Sequence, residues 1–330
     1  MQKNNKVQIV RALLALLVIV VHILPDDNCI KVIIRPLLNV AVAGFIFLSG
    51  YLTKLHIDTK KFYRKRILSV LIPYVLFTII YTMISDYRLG AADVSREIAK
   101  NLVTTSGKYT LYYLAVYVQL VLLTPLLTKI ADQKSKLANA IILLIQPLFI
   151  ACLYFGAGSG AILKIAPFYI MFFPAWLSYY YFGLLIGNNL IKIKAKSLTL
   201  VMMSIVGIAL QIAEGFIWLN NSTMKDMYYS QIRITALLEN IPLLLLMTRY
   251  IRSPREKCNK LLRRIGDASF GIYLLHPAFI MVCDKLIPRS EATFLITFAF
   301  AAAGSFATVL ILNKLLPRKV LKYCGLALAR

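Results

Sequence analysis

Residues 7–25 read VQIVRALLALLVIVVHILP, and the ten side chains between Arg11 and His22 are all Ala, Leu, Val or Ile. A run of this length crosses a hydrocarbon core of about 30 Å as an α-helix. Arg11 and His22 are eleven residues apart. At about 100° per residue they return to nearly the same helix face, about 16 Å apart along the axis. Ionisable groups inside a bilayer are costly and usually functional, so two of them on one stripe of an apolar helix imply a polar interior facing that stripe. The alternative is that Arg11 snorkels to one headgroup layer while His22 marks the other, beside Pro25, Asp26 and Asp27. The run is too long for a signal-peptide core and lacks a small-residue cleavage site, so it is expected to remain as a membrane helix.

Runs of the same kind recur along the chain. Spans are expected at 7–24, 32–52, 67–85, 109–128, 138–156, 165–187, 198–219, 231–248, 267–283 and 293–313. The reading is therefore all-α, a polytopic transmembrane helical bundle of about ten spans forming one domain over residues 1–330. Composition agrees: 59% of residues are hydrophobic and only 16% charged, with a mean hydropathy of +0.72. That excludes disorder. Five unpatterned Cys exclude a disulfide scaffold and give no metal-like spacing. A nucleic-acid partner would explain the net charge of +24 but not the hydropathy. With the N-terminus inside, 26 of the 38 basic residues fall in inner segments, nine in outer loops, and Arg11, Arg35 and Arg233 within spans. The positive-inside rule then puts both termini in the cytoplasm of a multi-pass cell-membrane protein, and most of the charge is topology.

The remaining polar residues are few enough to weigh singly. Lys60, Lys61, Arg64, Lys65 and Arg66 lead KKFYRKRILSVLIPY (60–74) into the third span. They either anchor the helix on the inner side or receive phosphate, since backbone N–H groups and cations converge at a helix start. Arg35 either snorkels outward or faces the same cavity as His22. Glu214 and Glu239 are buried acids, read as structural ion pairs with Arg11, Arg35 or Arg233. His276, with Tyr273 three residues ahead and Pro277 after it, either satisfies the carbonyl that proline frees or takes part in chemistry. Ser49 and Gly50, in the FLSGY segment 47–51, suit close helix packing. The outer loop 86–108 has the charge pattern of a short amphipathic helix on the membrane surface, and the basic segment 249–264 reads as inner-side anchoring.

Taken in order, four of these features resemble one known family. They are Arg11 with ten apolar residues before His22, FLSGY (47–51), FYRKRILSVLIPY (62–74) and SFGIYLLHP (269–277). Together they resemble the acyltransferase-3 family of integral membrane O-acyltransferases, and the compact length resembles its intercellular adhesion protein C-like branch. The resemblance implies transfer of an acetyl or succinyl group from cytoplasmic acyl-CoA to a hydroxyl of a cell-surface or exported glycan. It implies no tightly bound cofactor, acyl-CoA as co-substrate, and a polysaccharide synthase as a neighbouring partner. It also implies that Arg11 and His22 are required, and that donor recognition falls to Lys61, Arg64, Lys65 and Arg66. The family's two basic residues three apart have no pair of arginines here: Arg64 and Arg66 are two apart, with Lys61 three before Arg64. On this reading His22 is the base, or carries the acyl group, and Arg11 positions the donor. A competing reading makes the same polar path that of an exporter of polysaccharide or a small solute.

Overall fold

The computed structural model describes residues 4–85, 91–105, 109–155, 168–221, 225–253 and 259–329. In chain order the helices are α1 (Asn5–Ile23), α2 (Asn28–Leu38), α3 (Val40–Tyr51), α4 (Thr59–Ser85), α5 (Ala91–Thr104), α6 (Tyr112–Asp132), α7 (Lys136–Phe155) and α8 (Phe168–Met171). They continue with α9 (Leu177–Gly187), α10 (Ser197–Leu219), α11 (Ile234–Arg252), α12 (Lys260–Asp267), α13 (Ser269–Leu286), α14 (Phe294–Leu315) and α15 (Arg318–Tyr323). Asn4 caps α1 by accepting from the Lys6 and Val7 amides. Asp27 does the same for α2, and Asn259 for α12. Such caps satisfy amides that a helix start otherwise leaves open.

Nine helical stretches among the described residues are long and apolar enough to cross a membrane. They coincide with every expected span but the sixth, where residues 156–167 lie outside the described chain. There α8, a 3₁₀ turn at Phe173–Ala175 and the eleven-residue α9 follow one another. Pro174 lacks the amide that would continue a helix through this point, and eleven residues reach only about 16 Å. The loop helix expected within 86–108 is present as α5. It docks on α4 through Asn101 Nδ2 to Thr82 Oγ1 at 2.9 Å and the Tyr74 hydroxyl to the Leu102 carbonyl at 2.6 Å. Residues 86–90 and 106–108 lie outside the described chain.

The chain forms two compact units. The first comprises residues 1–25, 60–121 and 257–330, and the second 26–59 and 122–256. In the first, α1 packs against α12, α13 and α14. Ile19 and Ile23 lie in one apolar cluster with Ala268, Ile272, Ile280, Ala301 and Val309. Lipid is as apolar as these side chains, so close contact and internal hydrogen bonds must hold the helices together. The Tyr81 hydroxyl accordingly donates to the Leu274 carbonyl at 2.6 Å, joining α4 to α13.

In the second unit α3 packs on α9, and α10 on α11 and α2. Buried amides tie these helices together. Asn39 Nδ2 donates to Gln211 Oε1 at 2.7 Å, and the fully buried Arg233 donates to the same Oε1 at 3.1 Å and to the Gln211 carbonyl at 3.0 Å. The Ser178 amide donates to Gln146 Oε1, and Asn240 Nδ2 to the Tyr179 hydroxyl.

Candidate functional site

In the first unit, α1 presents Arg11 and His22 half-buried on one stripe. The electrostatic neighbours of Arg11 are Tyr113 and Tyr117 on α6, Arg66 on α4 and Asp267 on α12. At the far end of the stripe the His22 ring lies 5.4 Å from that of His276, centre to centre, with 31° between the planes. The two histidines are 254 positions apart in the chain, and the packing of α13 on α1 brings them together. The His22 carbonyl accepts from Arg289 at 3.4 Å, and Arg289 is itself held by Asp284.

His276 is completely buried. Its Nδ1 lies 3.2 Å from the Ile272 carbonyl. A carbonyl only accepts, so Nδ1 carries the proton and the ring's lone pair is on Nε2. The carbonyl deprived of an amide by Pro277 would be that of Tyr273, four residues earlier. The imidazole bonds to Ile272 instead, so repair of the proline's missing bond does not account for this histidine.

From His276 a line of rings runs back toward Arg11. Tyr273 is 6.1 Å from His276, Tyr113 is 5.5 Å from Tyr273, and Tyr117 is stacked 6.0 Å from Tyr113. The Tyr117 hydroxyl then accepts from Arg66 Nη1 at 3.3 Å. Tyr273 is anchored by its hydroxyl to the Thr110 carbonyl. The two ends of the α1 stripe are thus joined, within one unit, by aromatic side chains with polar edges. α4 ends this line with Arg66, whose guanidinium also lies 5.9 Å from the Phe62 ring.

The other basic residues at the start of α4 point elsewhere. Lys61, Arg64 and Lys65 line a cavity of about 210 Å³ with Ser69 and, from α15, Lys322 and Tyr323. At 27 residues, α4 is about 40 Å long at 1.5 Å per residue, so its first turns can project beyond a 30 Å core. The basic cluster therefore divides into an open, phosphate-sized cationic cavity and one arginine that faces the aromatic line.

The remaining candidates lie in the second unit. Arg35 sits 5.6 Å from the Tyr229 ring. Glu214 corrects the expected ion pairing: its Oε1 accepts from the Tyr154 hydroxyl and from Trp218 Nε1, and its Oε2 from Thr235. Glu239 is fully buried against Gly207, and neither carboxylate oxygen has a hydrogen-bond partner among the described residues. Both acids are electrostatic neighbours of Arg233, but neither forms an ion pair with a described arginine. The Arg233 guanidinium is spent on Gln211, which replaces the pairing that charge alone suggests.

Tyr117, Lys322 and Tyr323 are the site residues that sequence reasoning passed over. Tyr113 and Tyr117 carry a weak signal, two aromatic residues four apart on one helix face. Lys322 reads as an ordinary lysine of a basic stretch until the fold places it in the same cavity lining as Lys61, Arg64 and Lys65.

A multi-pass helical membrane protein with paired histidines, an arginine and a cationic cavity in one unit has the parts of a membrane-embedded group-transfer enzyme. The chain belongs to the acyltransferase-3 family: the family profile described as an acyltransferase domain matches residues 4–314. It is therefore an acyltransferase. No curated protein and no solved structure matches it.

Proposed function

We propose that the enzyme moves an acetyl or succinyl group from acyl-CoA, bound on the side of the basic loops, to a glycan hydroxyl presented beside His22. The observation that carries this reading is the unbroken line from Arg66 through Tyr117, Tyr113 and Tyr273 to His276 and His22. Lys61, Arg64, Lys65 and Lys322 offer charge-assisted hydrogen bonds to the phosphates of the donor. The uncharged pantetheine arm then lies along the tyrosines, with Arg11 positioning the donor at the Arg66 end so that the thioester reaches His22. His22 removes the proton from the acceptor hydroxyl, whose oxygen attacks the thioester carbonyl. The carbon–sulfur bond breaks, CoA leaves as the thiolate, and that thiolate takes up the proton that His22 removed, which restores the neutral imidazole. Holding donor and acceptor at fixed separation supplies much of the rate in such a transfer.

Purified enzyme incubated with labelled acetyl- or succinyl-CoA is expected to release CoA in proportion to added glycan acceptor and to label that glycan. Absence of glycan-dependent CoA release with either donor would overturn the proposal. Lys322→Ala is expected to raise KM for acyl-CoA by roughly fivefold at nearly constant kcat, the loss of one exposed phosphate contact of about 1 kcal/mol. Steady-state kinetics at saturating glycan checks it, and a fall in kcat at constant KM would remove Lys322 from donor binding.

A further inference from the structure

The second unit contains a cationic cavity that the transfer reaction does not use. It measures about 300 Å³, and its polar lining comes from Lys192, Thr248, Arg249, Arg252 and Ser253. The rest of the lining is apolar, including Ile186 from the end of α9 and Leu245 from α11. No lining residue is acidic.

Both arginines are fixed by the protein along part of their donor edge. Arg249 donates to Ser197 Oγ at 2.7 Å and to the Ala195 carbonyl. Arg252 donates through Nε to the Tyr51 hydroxyl at 3.1 Å and through Nη2 to the Ile186 carbonyl, with its guanidinium 5.6 Å from the Tyr51 ring. A guanidinium has five N–H donors, so each arginine keeps donors beyond those bonds. Pre-oriented guanidiniums lose little freedom when they bind phosphate, unlike the lysines of a solvated loop.

The cavity's place in the fold decides what kind of phosphate it receives. It lies where α9 and α11 end and α10 begins, and α10 and α11 both belong to membrane-crossing stretches. The ends of helices long enough to cross a hydrocarbon core of about 30 Å meet the lipid headgroups. Leu198, Val201 and Met202, in the first two turns of α10, are exposed apolar side chains against which an acyl chain can lie. Basic pockets between membrane helices on the cytoplasmic side bind anionic headgroups. We infer that this cavity is a binding site for one anionic phospholipid, its phosphate between Arg249 and Arg252 with Lys192 beside them, in the leaflet faced by the basic loops.

Native mass spectrometry of the full-length enzyme released from mixed vesicles of phosphatidylglycerol and phosphatidylcholine tests this. Wild type is expected to retain one phosphatidylglycerol in preference to phosphatidylcholine. At about fivefold per basic residue, the Arg249→Gln/Arg252→Gln double variant should retain it about 30-fold less. Since those arginines also bond the backbone, Lys192→Ala provides a second variant, at a cavity-lining residue outside those bonds. It is expected to weaken retention about fivefold with its thermal midpoint unchanged. Equal retention of the two lipids, or unchanged retention in Lys192→Ala, overturns the inference. Millimolar inorganic phosphate is the remaining arm. If it displaces the lipid completely, the site is one for free phosphate and the lipid assignment is wrong; persistence of the lipid supports it.

Discussion

His22→Ala is expected to lower acyl-transfer turnover by about 10²–10⁴-fold, the usual contribution of a positioned general base, while acyl-CoA still binds at the cavity of Lys61, Arg64 and Lys65. The half-buried His22 is accessible to an acceptor, whereas His276 behind it is wholly enclosed. On the proposed mechanism this difference suits His22 to proton removal and His276 to a positioning role. The His276 ring lies 5.4 Å from that of His22, centre to centre, where it can hold that imidazole in place. His276→Gln should therefore lower kcat less than His22→Ala does, with the thermal midpoint and KM for acyl-CoA retained. A purely structural His276 would instead lower the midpoint with turnover per folded molecule unchanged. Donor binding by fluorescence, thermal unfolding, and kcat with saturating acetyl-CoA and glycan give the required readouts. Normal turnover in His22→Ala would refute the assignment of the base.

Apolar length is a local property, which is why α1, α4, α10 and α14 could be placed from the sequence within a few residues, apart from the longer start of α4. The face shared by Arg11 and His22 was equally legible, because helix geometry alone determines it. The partners of that face were not. Tyr113 and Tyr273 lie 160 positions apart, and only the contact between them makes a continuous line from either residue. The same limit applies to Glu214. An acid and an arginine in neighbouring spans suggest an ion pair, but neutral hydroxyl and indole donors satisfy the carboxylate at lower desolvation cost than a second buried charge. The described part of the sixth span, divided into α8, a 3₁₀ turn and α9, was less legible for a different reason: Pro174 was visible, but its effect depended on whether the flanking residues could continue a helix.

The FLSGY segment shows how a motif weak in isolation acquires a physical meaning. A Cβ added at Gly50 would lie 1.9 Å from the Tyr180 carbonyl oxygen, and one at Gly183 would lie 2.2 Å from that of Phe47. The backbones of α3 and α9 therefore touch where each has a glycine. The Ser49 hydroxyl in the same segment donates within its own helix, to the Phe45 carbonyl at 2.9 Å. Packing depends on Gly50 and not on Ser49.

Gly266→Ala is the substitution expected to couple stability most directly to catalysis. Its Cβ would fall 1.8 Å from the Gln8 carbonyl oxygen and 2.5 Å from the carbonyl carbon. These are backbone atoms of α1, so no rotamer change relieves the clash, and α1 must move away from α12 by more than about 1 Å to restore ordinary contact. Overpacking of this kind costs about 1–3 kcal/mol, occasionally more. Gln8 is three residues before Arg11, so the displacement carries the donor-positioning arginine with it. A shift of about 1 Å at a reacting centre can cost about 100-fold in rate. Gly266→Ala should therefore lower both the thermal midpoint in detergent and kcat. Gly50→Ala, in the other unit, should lower the midpoint similarly with a smaller effect on kcat per folded molecule. Ser49→Ala, which removes only a bond within its own helix, should change neither appreciably. Thermal unfolding and active-site-normalised turnover on the three variants distinguish these outcomes. A Gly266→Ala enzyme as stable and active as wild type would show that the contact between α1 and α12 does not hold Arg11 in register.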